Sequence, residues 1–332
     1  YFAFRGQHFS DIRDAIEAAN LWWLIPALVL YFGGVWIRVL RWRILLHPVV
    51  KVSARELYPI VVIGYMANNV LPLRTGEIVR AYTLQRSRNV PMTSSLATIA
   101  VERIFDGLTM LGFMLVATAF VSFTSQLRHL AIVAFIVFTV LVIGLFVLTL
   151  GGTFLDRLLQ IVLGPMPTKL ADRVEKLVES FLGGLAILRN WKDLTLVAAF
   201  SILAWGLEAS MYYTLAQGFS KQLRDVMTPA ATLLTTGVAN MATLIPSSPG
   251  YIGQFEYGVK LVVNGALGVN ESEALAYAIF VHAALFFPIT AWGIFEWSRR
   301  QISFKNIQKL AEGDGQAAGA EVASSGSNVS AS

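Results

Sequence analysis

The chain has 332 residues, of which 55% are hydrophobic and only 14% charged, with a mean hydropathy of +0.60. A soluble domain carries about a quarter charged residues, so this chain lacks the charge to cover a globule of its size, and its apolar content excludes a disordered chain. With no cysteine it has no disulfide, thiolate metal site or cysteine nucleophile, its net charge of +5 is modest, and what remains is an integral membrane protein.

Ile12, Ala15, Ile16 and Ala19 recur at helical spacing and predict an amphipathic helix over 10–20, capped by Ser10. About 20 apolar residues cross a bilayer, and 21–40 is the first such run. The Arg38, Arg41 and Arg43 row, with Trp36 and Trp42, then reads as a positive-inside cytoplasmic edge, with a headgroup anchor as the alternative. The stretch 57–73 is apolar but short, and Pro59, Asn68, Asn69 and Pro72 interrupt it. Broken backbone persists at membrane depth only where protein or a water-filled cavity satisfies it, so this is a re-entrant or broken helix. Pro72 and Gly76 are its hinge. A helix starting near Thr75 would join Arg74 in favouring an anion such as phosphate, and Glu77 can pair with Arg74 or Arg80. A salt-bridged hairpin that binds nothing explains the same residues equally well.

Spans follow at 105–123 and 130–150. Glu102, Arg103 and Asp106 lead into the first, and the two carboxylates, four apart, share a helix face. They are expected to accept Arg74 and Arg80; acid/base work or a metal are the alternatives, and without a nearby histidine a zinc site is poor. Over 168–189, Leu170, Val174, Leu177, Val178, Phe181, Leu182 and Leu185 form one apolar stripe, read as a helix lying at the membrane interface. The span 194–217 is apolar apart from Glu208. A second broken segment, 226–268, carries Pro229, Asn240 and the run IPSSPGYIGQFEYG. Within it Pro246, Pro249, Gly250 and Gly253 are hinge positions, and Ser247, Ser248, Tyr251, Gln254 and Glu256 are polar candidates. Glu256 reads as a buried carboxylate with Glu208 as companion, or as a partner of Lys260. The last span is 273–297, and 311–332 is low-complexity and reads as disordered. Trp22, Trp23, Trp191 and Trp297 mark span ends. His8, His47, His129 and His282 are scattered and read as interfacial or core residues.

The two broken segments resemble each other: 174 positions separate Pro72 from Pro246, and 174 separate Gly76 from Gly250. The same shift carries 21–40 onto 195–214 and 105–123 onto 279–297, within the later spans. Most positive residues fall on the cytoplasmic side if the first span runs inward, 57–73 enters and leaves there, and 226–268 enters from outside; the outside then keeps only Arg5, Arg13, Arg128, Lys221 and Arg224, with Lys260 left unassigned. The two copies then have opposite topology, as in many transporters. The expected fold is all-α, a polytopic membrane protein with two inverted-topology repeats, each containing a re-entrant or broken helix. Its parts are a first repeat over 1–150, a cytoplasmic amphipathic linker over 151–192, a second repeat over 193–300 and a disordered cytoplasmic tail over 301–332.

NNVLPLRTGEIVRAY, then ERIFDG, then IPSSPGYIGQFE, together with WIRVLRWRILL, resemble a known family in its own motif order. It is the flippase-like membrane domain of the lysylphosphatidylglycerol synthase/flippase (multiple peptide resistance factor) proteins and their stand-alone UPF0104-type relatives. The resemblance covers residues 1 to about 300. It implies a multi-pass protein of the bacterial cytoplasmic membrane that moves phospholipids or lipid-linked glycans between leaflets. The matching positions are Asn69, Pro72, Arg74, Gly76, Glu77, Arg80, Glu102, Arg103, Asp106, Pro246, Pro249, Gly250, Gly253 and Glu256. Two-domain members carry a soluble aminoacyl-transferase domain after the membrane part; here about 30 mostly low-complexity residues follow, so lysyl transfer is not expected. Members also begin with one more span, and YFAFRG looks like its end, which implies a truncated start.

The sequence thus predicts a lipid flippase, not an enzyme, in which a headgroup phosphate meets Arg74 and Arg80 between the broken segments. Asn68, Asn69, Glu77, Glu102, Arg103, Asp106, Glu208, Ser247, Ser248, Tyr251, Gln254 and Glu256 complete the candidate site. Membrane lipids are the expected partners, as anionic or lipid-linked substrate, with a homodimer possible; no cofactor, metal or nucleic acid is expected. A membrane-embedded transferase or phosphatase on polyprenyl lipids, and an accessory subunit of a cell-envelope synthase, are the alternatives. No GxSxG, HExxH or glycine-rich phosphate motif supports the enzyme.

Overall fold

The computed structural model describes residues 9–71, 75–122, 124–150, 168–243 and 249–300, and these are all-helical apart from turns and connections. Arg74, Pro72, Pro246, Ser247, Ser248, the tail and much of the predicted linker lie outside them. Twelve α-helices follow in order: α1 Phe9–Glu17, α2 Leu24–Leu46, α3 Ala54–Val70, α4 Gly76–Arg88, α5 Met92–Ala117, α6 Ser125–Leu150, α7 Thr168–Gly184, α8 Trp191–Ala216, α9 Lys221–Val226, α10 Pro229–Ala242, α11 Gln254–Val263 and α12 Glu271–Arg300.

Among the described residues, four helical stretches are long and apolar enough to cross a membrane: Leu21–Leu46, Ser125–Gly144, Trp191–Ala216 and Glu271–Arg300. Many side chains on these helices that point away from the core are apolar, as at Val29, Ile132, Phe135, Ile136, Ile202 and Phe287, all exposed. An apolar outer surface of this extent suits lipid rather than water. The expected span 105–123 differs. It is the second half of α5, which starts at Met92 and ends at Ala117, so Glu102, Arg103 and Asp106 stand mid-helix instead of at its entrance. Ser10 likewise lies inside α1 rather than ahead of it.

Both interrupted stretches fold as helical hairpins. Ser53 caps α3 by accepting the Glu56 N–H, and the helix runs unbroken through Pro59 to Val70. The break therefore falls at 71–75, not across the whole stretch. The Gly76 N–H donates to Asn68 Oδ1 at 2.8 Å, turning α4 back along α3. A Cβ on Gly76 would collide with the Gly64 carbonyl, so glycine sets how closely the two helices pack. In the second hairpin Thr228 caps α10, with Pro229 at its first position, and Gly258 of α11 lies against the Ala239 backbone. α3, α4, α10 and α11 have 17, 13, 14 and 10 residues. At about 1.5 Å per residue, none reaches the ~30 Å of a hydrocarbon core.

α2 packs along α8 at the centre of the molecule. Around that pair α3 packs on α12 and α10 on α5, while α1 lies on α12 and α7 on α5. The predicted apolar face of α1 is the one that docks, with Ile12 and Ala19 buried. The α7 stripe is only half used: Ser94 of α5 bonds the Ser180 carbonyl, whereas Leu170 and Leu177 stay exposed.

Candidate functional site

Four arginines and four carboxylates meet inside the helical core. Arg41, fully buried on α2, lies 2.6 Å from Asp106 and 3.0 Å from Glu102, and donates to Ser201 Oγ of α8 at 2.8 Å. Arg80 of α4 forks onto both oxygens of Glu102 at 3.0 and 3.3 Å and stacks on the Trp42 ring, 4.2 Å from its centroid. Arg103 approaches Glu102 at 3.3 Å, Asp106 at 3.5 Å and Glu77 at 4.0 Å. Arg38 pairs with Glu208 at 2.7 Å and stacks on Trp205, whose indole N–H donates to Asp106 at 2.7 Å. Charges taken from water cost several kcal/mol each unless paired and hydrogen-bonded, and here each has an opposite charge at hand.

A cavity of about 660 Å³ opens beside this network, within the size range of small-ligand sites. Of the predicted residues, Asn68, Asn69, Glu77, Arg103, Asp106, Glu208 and Tyr251 line it. Asn68 bridges the turn, its amide reaching Glu77 at 3.5 Å. Asn69 donates to Thr290 of α12 at 2.8 Å, which ties the end of α3 to the last span. The two breaks meet here: a Cβ on Gly250 would stand 3.3 Å from the Asn69 carbonyl and 2.7 Å from Phe286. Gly250 has φ of 68° and Gly253 of 91°, a left-handed turn that favours glycine, and Pro249 opens the same turn. Val137 and Leu141 of α6 line the cavity and are also about half exposed, so it reaches the apolar surface beside α6.

Several expected placements change. Arg80 and Glu102 do not line the cavity; their bidentate pair sits behind its wall, 3% and 0% exposed. Arg103, with 37% of its side chain exposed, is the accessible cation of the network. Glu256 pairs with His282 of α12 rather than with Lys260, which bonds Glu271 of α12 instead. Gln254 and Glu256 are likewise absent from the lining. In the arginine row after the first span, Arg38 and Arg41 are buried in ion pairs and only Arg43 is exposed, so the first two do not offer their charge to lipid headgroups. Trp297 is buried too, unlike the exposed Trp22 and Trp191.

Reading the sequence missed Arg38, Arg41, Trp205, Asn240, Thr243 and His282. A signal existed for the first two. Tyr31, Val35, Arg38, Trp42 and Leu45 recur at three- and four-residue steps along one face that α2 buries, and Arg41 lies beside it. Asn240, which donates to Glu208 at 3.4 Å, was marked only as a helix interrupter.

Comparison with known proteins agrees with the family resemblance. The family model for the lysylphosphatidylglycerol synthase TM region matches residues 1–293. Among curated proteins, glycosyltransferase AglD of Haloferax volcanii is 25% identical over 300 residues, 82% of this chain and 48% of AglD. The chain therefore spans about half the length of that relative. A UPF0104 membrane protein of Methanothermobacter thermautotrophicus is 24% identical over 86% of this chain and 87% of its own. Another from Methanocaldococcus jannaschii is 20% identical, covering 68% and 90%. No solved structure matches. The chain belongs to the lysylphosphatidylglycerol synthase TM region family and is a multi-pass membrane protein.

Proposed function

We propose that the chain moves a phosphate-bearing lipid between the leaflets of a cytoplasmic membrane by alternate opening of the cavity between two inverted-topology halves. The observation that carries this reading is a cavity that joins a half-exposed guanidinium, Arg103, to an apolar opening beside α6. A headgroup phosphate meets Arg103 and Arg38, amide donors come from Asn68, Asn69 and Asn240, and the acyl chains stay in lipid. Arg74, next to the first break, remains a second candidate for the phosphate. Glu77, Asp106 and Glu208 hold the arginines in place and accept any cationic part of the headgroup.

The packing supports the repeat. Matching α1 to α7, α2 to α8, α3 to α10, α4 to α11 and α5 to α12 turns each pairing into another that is present. Thus α3 with α4 becomes α10 with α11, α3 with α12 becomes α10 with α5, and α1 with α12 becomes α7 with α5. In this reading the hairpins are re-entrant, one from each side, and the halves rock about the central α2–α8 pair. The positive residues put the α3–α4 hairpin on the cytoplasmic side. A bacterial membrane is supported by the family resemblance, while the relatives described above are archaeal.

A second reading, a membrane-embedded transferase or phosphatase acting on polyprenyl lipids, draws on the name of the Haloferax relative, a glycosyltransferase. The engagement of Glu102 and Asp106 by guanidiniums weighs against it, because carboxylates so held make weak bases. Reconstitution into liposomes with labelled phospholipids separates the two. Leaflet exchange above that of empty liposomes, reduced roughly tenfold or more in Arg103→Gln, is expected. Equal exchange in wild type, variant and empty liposomes overturns the flippase reading, and product formation in detergent establishes the enzyme.

A further inference from the structure

His282 stands 9% exposed on α12, in the wall of the cavity. Its Nδ1 lies 2.6 Å from Glu256 Oε1, and the other Glu256 oxygen accepts the Gly253 N–H at 2.6 Å. The pair is thus built into the second break, beside Gly250, Tyr251 and Gly253 with φ of 68°, 60° and 91°. Phe255 lies against the ring, with centroids 4.7 Å apart.

The charges around it can be counted among the described residues. Arg38, Arg41, Arg80 and Arg103 are matched by Glu77, Glu102, Asp106 and Glu208, each carboxylate within 4.0 Å of a guanidinium. That set is neutral. Arg74 is outside this count. Glu256 is the additional carboxylate, and its partner is an imidazole, which carries a positive charge only when both ring nitrogens hold a proton. The remaining titratable groups on the elements packed against α12 do not compensate. α3 and α2 offer Tyr58, Tyr65 and Tyr31, with Arg43 and Arg55 exposed at their ends and Glu56 paired with Arg88; α8 adds Tyr212, and the turn adds Tyr251. Arg13, Asp14 and Glu17 of α1 are exposed, Lys260 of α11 is bound to Glu271, and Glu273 and Glu296 stand near the ends of α12.

We propose that His282 with Glu256 is a proton-binding site, and that an anionic headgroup enters the cavity together with a proton bound there. This rests on the lipid-transport reading. Nδ1–H donates to Glu256 in both charge states, so the proton is gained and lost at Nε2. With a neutral imidazole the cavity region carries one excess negative charge and resists a phosphodiester. With an imidazolium it is neutral, and the incoming anion meets no excess charge of its own sign. Uptake from the open side and release after the cavity reverses would couple lipid movement to the proton gradient. Because Glu256 also holds the Gly253 N–H, the proton acts at the hinge as well as in the cavity.

The test is titration calorimetry of the full chain in detergent with dioctanoyl phosphatidylglycerol, in buffers of different ionisation enthalpy. The dependence of the apparent heat on the buffer gives the protons taken up per lipid. Wild type is expected to take up as much as about one proton per lipid, and its affinity to fall about tenfold per pH unit wherever a full proton is taken up. His282→Gln is expected to bind with uptake near zero and an affinity that does not change with pH. Glu256→Gln, which removes the ring's counter-charge, carries the same expectation should the first variant not fold. Wild type that binds lipid without proton uptake, or a variant with undiminished uptake, overturns this inference and leaves the lipid reading standing. Absence of both lipid binding and leaflet exchange overturns the two together.

Discussion

Replacing Glu102 by glutamine changes almost no volume, yet it takes the negative charge from between three guanidiniums. Arg41 and Arg80 approach Glu102 at 3.0 Å and Arg103 at 3.3 Å, and Glu102 is 0% exposed, so water cannot substitute for the lost charge. Breaking such a buried pair costs about 3–5 kcal/mol, because the partner charge is left uncompensated. At about 2–4 °C per kcal/mol for a chain of this size class, Glu102→Gln is expected to melt roughly 6–20 °C below wild type. Arg80→Met keeps an unbranched stem over Trp42 while removing one cation, and its expected loss is similar. The double variant restores equality, with three guanidiniums facing three carboxylates. It is expected to lose less than the sum of the singles, by about 2 kcal/mol. The assay is an intrinsic-fluorescence melt in detergent at one fixed scan rate, since unfolding of such a chain is often irreversible. Single shifts below about 2 °C, or strict additivity in the double variant, would refute charge balance as what holds this network.

Three further outcomes follow from the same geometry. Trp205→Phe removes the indole N–H that reaches Asp106 at 2.7 Å, and a hydrogen bond to a charged group is worth about 1.5–3 kcal/mol; an unchanged melt would contradict this. Gly76→Ala forces a Cβ against the Gly64 carbonyl and should cost about 1–3 kcal/mol. Gly112→Ala on α5, with open space around it, should be neutral or stabilising by up to ~1 kcal/mol, and the reverse order in a thermal melt counts against the hairpin packing. Arg41→Lys keeps the charge but loses the fork that spans Asp106, Glu102 and Ser201. Its melting temperature is expected to fall nearly as far as that of Arg41→Met, and full retention would show that a point charge suffices.

Much of the architecture was legible because membrane spans announce themselves in composition. The runs at 21–40, 130–150, 194–217 and 273–297 lie in α2, α6, α8 and α12. The hairpins were legible through Pro72, Gly76, Pro249 and Gly250, since these residues interrupt apolar runs for lack of a donor or a Cβ. Partner choice was not. Periodicity says which residues share a face but not which helix that face meets, so Glu256 was offered Lys260, its neighbour along α11, instead of His282 from α12. Counting positive charge treated Arg38 and Arg41 as a free basic row, because that count cannot see carboxylates arriving from α5 and α8. His282 was passed over for a related reason. A lone histidine in an apolar run acquires meaning only once its partner is known.

The packing of α1 on α12 and of α3 on α12 also dictates an order of assembly. As the chain emerges during synthesis, α2, α4 and α5 can gather Arg41, Arg80 and Glu102 before the second half exists. α1 must then wait for α12, and Asn69 must wait for Thr290, 221 positions later. Until then the early hairpin has no wall to close against, and its polar amides face whatever surrounds the nascent chain. A ribosome stalled before α12 would therefore hold an ionic core without a cavity, and a protease able to reach the Asn68–Asn69 end of α3 should distinguish that intermediate from the finished protein.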